Sequence, residues 1–310
     1  MPSHEPSVAL VAGATRGAGR GIALALGEAG AIVYCTGRST RADKGRRPGG
    51  GAPFDLARRP ETIEDTAAMV SERGGVGIAV RVDHTVEDEV AALARRVRAE
   101  HGRLDVLVND IWGGEAQTEW GKPFWELAVS DGFSMIERAV YTHIITSRHA
   151  VPMMVENRRG LIVEVTDGDS PAYRGNLFYD LVKSAVSRLA YGMAEELRPH
   201  GVTALAITPG FLRSEAMLDH FGFTEANWRD AAAQDPHFIA SETPLYVGRA
   251  IAALAADPAV ARWSGQVLSS WGLAETYGFT DADGRQPHWG RYFEEVVRAG
   301  PSGASGASAG

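Results

Sequence analysis

The sequence predicts an α/β fold in which one doubly wound, seven-stranded parallel sheet carries helices on both faces. Two observations predict it. Seven short β-branched or apolar runs recur along the 310 residues, and longer segments with helical patterning separate them, an alternation that belongs to parallel sheets covered on both sides. A third feature strengthens the reading: no internal repeat of 20 to 50 residues competes with it.

The elements follow in order. A first strand at 8–12 opens into a glycine-rich turn and a helix at 19–29. The second strand, 32–36, precedes a glycine- and arginine-rich loop at 38–54 and a helix at 59–73. Strand 77–82, helix 86–101, strand 106–109 and one long helical pattern at 125–156 come next. Strand 161–165, helix 178–199 and strand 203–207 lead into an aromatic-rich segment at 213–242, and helix 244–256 and strand 266–268 complete the pattern. The whole reads as one domain over residues 1–300, with a substrate loop near 213–242 and a disordered tail at 301–310, PSGASGASAG, whose small residues bury nothing. Ligands in open α/β sheets bind beyond the carboxyl ends of the strands, so the loops after the second and sixth strands fall on the ligand side.

Composition narrows the class. A formal net charge of −8 argues against nucleic acid as partner, and no run of about 18 apolar residues suggests a membrane span. The lone cysteine, Cys35, lies in a strand and fits a reducing compartment, and the N-terminus shows no basic region followed by a long apolar stretch. These features predict a cytoplasmic protein. No metal-ligand set is assigned.

VALVAGATRGAGRGIALAL places Gly13, Gly17 and Gly19 after a strand and before a helix, with Thr15 and Arg16 between them. Glycine permits the tight turn and lets backbone N–H groups approach a pyrophosphate at the positive end of the helix. The second strand ends Tyr34-Cys35-Thr36-Gly37-Arg38-Ser39, with no carboxylate for a ribose 2′-hydroxyl. Arg38, Ser39 and Arg16 suit a 2′-phosphate instead, so the expected cofactor is NADP (NADPH). Arg41, Lys44, Arg46 and Arg47 are not assigned.

Tyr179 and Lys183 stand four residues apart in FYDLVKSAVSRLAYGMAEEL, one helical turn, and project from the same face. An ammonium held near a phenol favours the phenolate, which brings a group with an ordinary pKa of about 10 toward acid–base work.

Gly13, Gly17 and Gly19, then Asp83, Asn109, Tyr179 with Lys183, and Pro209-Gly210 occur in an order that resembles the short-chain dehydrogenase/reductase family, over roughly residues 7–290. The segments HGRLDVLVND, KPFWE, GLIVEVTDG, ELRPHGVTALAITPG and YGFTDADGR add to the resemblance. It implies a Rossmann fold, a homo-oligomer and a small-molecule carbonyl or alcohol substrate. It also implies roles: Tyr179 donates or removes the proton, Lys183 lowers its pKa and binds the nicotinamide ribose, and Asp83 meets the adenine. Asn109 helps line the cofactor cleft, and Pro209-Gly210-Phe211 passes the nicotinamide with Ser214 nearby.

Two departures stand out. The serine that family members carry after the fifth strand falls on Asp167 when aligned from the strand and on Thr166 when counted from Tyr179; Ser170 is also within reach. Asp167 is favoured at the substrate position, with Thr166 adjacent. Ionised, Asp167 only accepts hydrogen bonds, which suits a cationic or hydroxylated substrate. The asparagine that family members place in the fourth helix is absent, with Ala139 near its position and Tyr141 and His143 read as ordinary helix residues. Trp112, Trp120, Trp125, Phe211, Phe221, Phe223 and Trp228 suggest an apolar or aromatic ligand, several of them being core. The sequence therefore predicts an NADPH-dependent carbonyl reductase or the reverse dehydrogenase. A non-redox isomerase, dehydratase or cyclase, or an NADP-binding regulatory protein, are the alternatives.

Overall fold

In the computed structural model the described residues are 5–43, 59–170 and 172–298. The expected tail at 301–310, and residues 44–58 of the loop region with Lys44, Arg46 and Arg47, lie outside them.

Seven strands form one parallel sheet: β1 (Val8–Ala12), β2 (Ile32–Gly37), β3 (Val76–Arg81), β4 (Val106–Asn109), β5 (Gly160–Val165), β6 (Val202–Thr208) and β7 (Val267–Ser269). Their spatial order is β3-β2-β1-β4-β5-β6-β7. The chain therefore winds outward from β1 to β3, then returns to pair β4 with the other side of β1, Ala12 opposite Asn109. That reversal opens a crevice beyond the carboxyl ends of β1 and β4.

Burial on both faces explains why the strands are apolar throughout. Ala9 and Val11 face a cluster built with α1 (Gly17–Glu28), α2 (Ile63–Glu72) and, on the same face, Val247, Ile251 and Leu254. Their neighbours Val8 and Leu10 face the opposite cluster, built with α3 (Glu87–His101) and residues Met153, Met154, Ala194 and Leu197. Cys35 is fully buried, and burial pushes its thiol up to about 12, so it is a small core residue.

The pattern expected as one helix at 125–156 is interrupted. It resolves into α4 (Val129–Ile136), a π-helical turn at Glu137–Tyr141, and α5 (Thr142–Asn157). The wider turn seats Ala139 in a small cluster with Met135, Val182, Trp112 and Phe178 beneath the crevice. α6 (Leu177–Leu197) follows β5, and α7 (Glu215–Phe221) begins the segment after β6. α8 (Pro244–Ala256), α9 (Ser270–Tyr277) and α10 (Trp289–Tyr292) complete the order.

The 213–242 segment is closed at its neck, where Arg213 N donates to Glu242 O and Glu242 N to Phe211 O, both at 2.9 Å. Leu218, Trp228, Ala231 and Phe238 form its own small core, joined by Phe211, Phe221 and Phe223. Those aromatics hold the segment together. Among the described residues no helix is long and apolar enough to cross a membrane.

Candidate active site

The start of α6 fixes the Tyr179–Lys183 pair. Asn176, buried, caps the helix: its Oδ1 accepts from Tyr179 N at 3.0 Å and its Nδ2 donates to Glu119 O at 3.0 Å. Tyr179 thus stands in the first turn and Lys183 one turn on. This cap was legible in sequence, an asparagine just before an apolar helical pattern, but the expectation placed the helix one residue late.

At the end of β5 the ladder continues one residue, Thr166 N donating to Ile207 O at 2.8 Å. The chain then turns at Gly168, φ 78°, whose N–H is held by Thr208 Oγ1 at 2.8 Å. This sends Asp167 toward α6, where its Oδ2 accepts from the Tyr179 hydroxyl at 2.7 Å. Thr166 is turned the other way, buried, with Oγ1 donating to Lys183 O at 2.8 Å. Its hydroxyl is engaged with the α6 backbone and is not presented to the crevice. Ser170 and Asp169 are exposed.

Lys183 Nζ lies 4.5 Å from the centroid of the Trp112 ring and 5.4 Å from that of Tyr179. Trp112 meets Tyr179 edge-on at 5.3 Å and Trp120 meets it tilted at 5.1 Å. Burial lowers the Lys183 pKa, opposed by Asp167, Asp110 and Glu115. Burial also holds the Tyr179 phenol well above its ordinary value, and the Asp167 charge and hydrogen bond raise it further. The expected effect of Lys183 on the phenol is therefore overridden in this arrangement by burial first and then by a carboxylate on the phenol's own oxygen.

The residues for a dinucleotide are present. Gly13 and Gly17 have φ of 95° and 56°, and a Cβ at Gly13 would sit 2.5 Å from Asp110 O, so only glycine lets the turn close on β4. A Cβ at Gly19 would meet Gly13 O at 2.4 Å. Thr15 is buried against Gly37, and Arg16 donates to Ser39 Oγ at 3.5 Å and pairs with Glu61 at 3.3 Å. Arg38 pairs with Asp83 at 3.7 Å. Arg16, Arg38, Ser39 and Asp83 thus gather at the ends of β2 and β3. Gly210 N donates to Glu242 Oε2 at 2.9 Å, and Ser214 Oγ caps α7 by accepting from Met217 N at 3.3 Å. The turn already binds an anionic oxygen, because Gly17 N donates to Glu215 Oε2 at 2.9 Å. This donor set fits a pyrophosphate.

Asn109 is placed elsewhere than expected. It is fully buried, and Nδ2 donates to Glu164 Oε1 at 2.7 Å and Ser147 Oγ at 3.0 Å, within the layer between the sheet and α5. The next residue, Asp110, is the one against the glycine turn, and burial raises its carboxyl to about 7 against the pull of Lys183. His143 is likewise no ordinary helix position: it is 1% exposed, with Nδ1 2.5 Å from Glu164 Oε2 and Nε2 3.0 Å from Ile111 O. Tyr141 is exposed and Phe211 packs on Phe238 and Trp289. Asp110 and Glu242 carry no signal in the sequence, and His143 reads there as an ordinary helix residue, because their partners lie on other segments. Among the described residues no group of three His, Cys, Asp or Glu side chains is arranged to hold a metal ion.

A parallel sheet with a glycine turn at its switch point and a Tyr–Lys pair beside it defines an oxidoreductase that uses a nicotinamide cofactor. The chain belongs to the short-chain dehydrogenase family, whose model matches residues 50–221. It is 35% identical over 289 residues to human "Dehydrogenase/reductase SDR family member 1", covering 90% of this chain and 84% of that protein. The mouse protein of the same name is 36% identical with the same coverage. Among solved structures, a hydroxysteroid dehydrogenase from Escherichia coli superposes with a TM-score of 0.63 at 25% identity, covering 85% of this chain and 94% of that one.

Proposed function

We propose that the protein is an NADPH-dependent oxidoreductase that interconverts a ketone or aldehyde with an alcohol. The observation that carries this reading is Tyr179 at the mouth of the crevice, bonded to Asp167 at 2.7 Å and flanked by the Lys183 ammonium. When bound, the reduced nicotinamide supplies the hydride. Gly13, Gly17 and Gly19 with the α1 N-terminus hold the pyrophosphate, and Arg38, Ser39 and Arg16 hold the 2′-phosphate. Glu61 does not recruit a ribose hydroxyl in this reading, because both its oxygens are taken by Arg59 and Arg16.

In reduction Tyr179 gives its proton to the substrate oxygen, and Lys183 stabilises the phenolate left behind. Asp167 narrows the substrate. As an acceptor it competes with the substrate oxygen for the Tyr179 proton. A substrate with a hydroxyl next to the reacting carbon donates to Asp167 and frees the phenol for the carbonyl. We therefore favour hydroxy ketones and vicinal diols, with Trp112 and Trp120 against their apolar part.

The test is oxidation of NADPH and NADH by purified protein over ketones, aldehydes, quinones and α-hydroxy ketones. NADPH is expected to be preferred by at least about tenfold in kcat/KM, with Arg38→Ala removing most of that preference. No turnover across the panel would overturn the reading. A homo-oligomer belongs to the same proposal, supported by Phe133, Tyr141, Ile144 and Leu181 exposed on α4, the π turn, α5 and α6. Sedimentation should give a dimer or larger, and Leu181→Glu should dissociate it. The cytoplasm is the compartment this reading assigns.

A further inference from the structure

Glu215 belongs to the segment after β6, yet its carboxylate lies on the glycine turn nearly two hundred positions earlier in the chain, |i−j| = 198. Oε2 accepts from Gly17 N at 2.9 Å, and Oε1 is 3.4 Å from Arg20 Nη1. Gly17 is the first residue of the 12-residue α1, so its N–H is one of those a helix leaves without an internal partner and sits at the positive end of the dipole. One turn along the same face of α7, Asp219 pairs with Arg59 at 2.9 Å, and Arg59 also grips Glu61, the partner of Arg16. Both carboxylates of this face are thus seated on phosphate-binding chemistry: a backbone amide and guanidinium groups. Ser214, the cap of α7, rests beside the same turn, 3.9 Å from where a Gly17 Cβ would project.

A carboxylate and a phosphate oxygen require the same N–H, and two anions repel when brought to one amide. We infer that Glu215 is a built-in competitor for the cofactor's pyrophosphate: α7 rests with its carboxylate on the turn, and binding of the dinucleotide displaces it. This rests on the reading that the α1 N-terminus takes the pyrophosphate. Cofactor affinity is then lowered by the fraction of molecules in which Glu215 occupies the turn, and cofactor binding is tied to the position of the segment that covers the substrate. The neck is held by the bridge between Leu212 and Glu242, so the displacement is assigned to α7 and not to the base of the segment.

Calorimetric titration of the full chain with NADPH and with inorganic pyrophosphate tests this. Glu215→Ala is expected to tighten both by about threefold to tenfold, and Glu215→Gln, which keeps an acceptor without the charge, by a smaller factor. Pyrophosphate separates this effect from any contact with the rest of the dinucleotide. Unchanged or weaker binding by both variants, with circular dichroism matching the parent, would overturn the inference while leaving the cofactor reading intact. If no variant and not the parent binds either probe, the inference and the cofactor reading fall together. Because Gln is isosteric with Glu, a failure of the Ala variant to fold leaves the Gln titration to decide.

Discussion

Tyr179 donates its hydroxyl hydrogen to Asp167 across 2.7 Å, so the phenol that must handle a proton shares its oxygen with a carboxylate. Burial and that carboxylate keep the phenol protonated far into the alkaline range. The sign for catalysis follows. Reduction needs the phenol protonated and is maintained as pH rises, whereas oxidation needs the phenolate and gains rate only toward alkaline pH. Asp167→Ser removes the neighbouring charge, and the oxidation limb of kcat/KM should move to lower pH by about one unit or more. An unmoved limb would mean that Asp167 does not control the phenol.

Tyr179→Phe removes the proton without removing the ring that packs on Trp112 and Trp120. We expect kcat to fall by at least about 100-fold with the NADPH dissociation constant little changed. Rapid-mixing kinetics and a binding titration on the same preparation separate the two effects. A loss confined to binding would reassign Tyr179 to a structural role.

The His143–Glu164 pair is buried at 1% and 0% exposure, 2.5 Å apart, with Asn109 completing the Glu164 side. His143→Leu strands that carboxylate in the core and should cost about 3–5 kcal/mol of stability in denaturant unfolding. Replacing both partners, His143→Leu with Glu164→Met, should recover a large part of the loss. Additive losses would show that the pair carries no special coupling.

Glu242 is fully buried beneath Gly210, its Oε2 taken by Gly210 N and Ser270 Oγ and its Oε1 without a hydrogen-bond partner among the described residues. Burial raises its carboxyl from 4.5 to about 8. The folded state therefore holds a proton that the unfolded state releases between those values, and stability falls as pH rises through that window. Glu242→Gln keeps a neutral side chain and should flatten the slope, by up to about 1.4 kcal/mol per pH unit, in urea unfolding at pH 5 to 8. Parallel curves for parent and variant would show that Glu242 ionises freely.

Much of the molecule was determined by the sequence itself. The seven strands, the glycine turn and the register of Tyr179 with Lys183 depend on periodicity and spacing within a few residues, and those local rules act before any tertiary contact forms. The tertiary structure decided which side chains share a space. Asp167 rather than Thr166 meets Tyr179 because Thr208, on the neighbouring strand, holds the Gly168 turn. Asn109 is drawn into the layer beneath α5 by Glu164 and Ser147, and Glu215 reaches Gly17 only because the segment after β6, a strand separated from β1 by β4 and β5, returns to β1's turn. The pairs made by Asn109 and Glu215 join segments far apart in the chain, so their meeting is set by the packing of layers and carries no signature in local spacing.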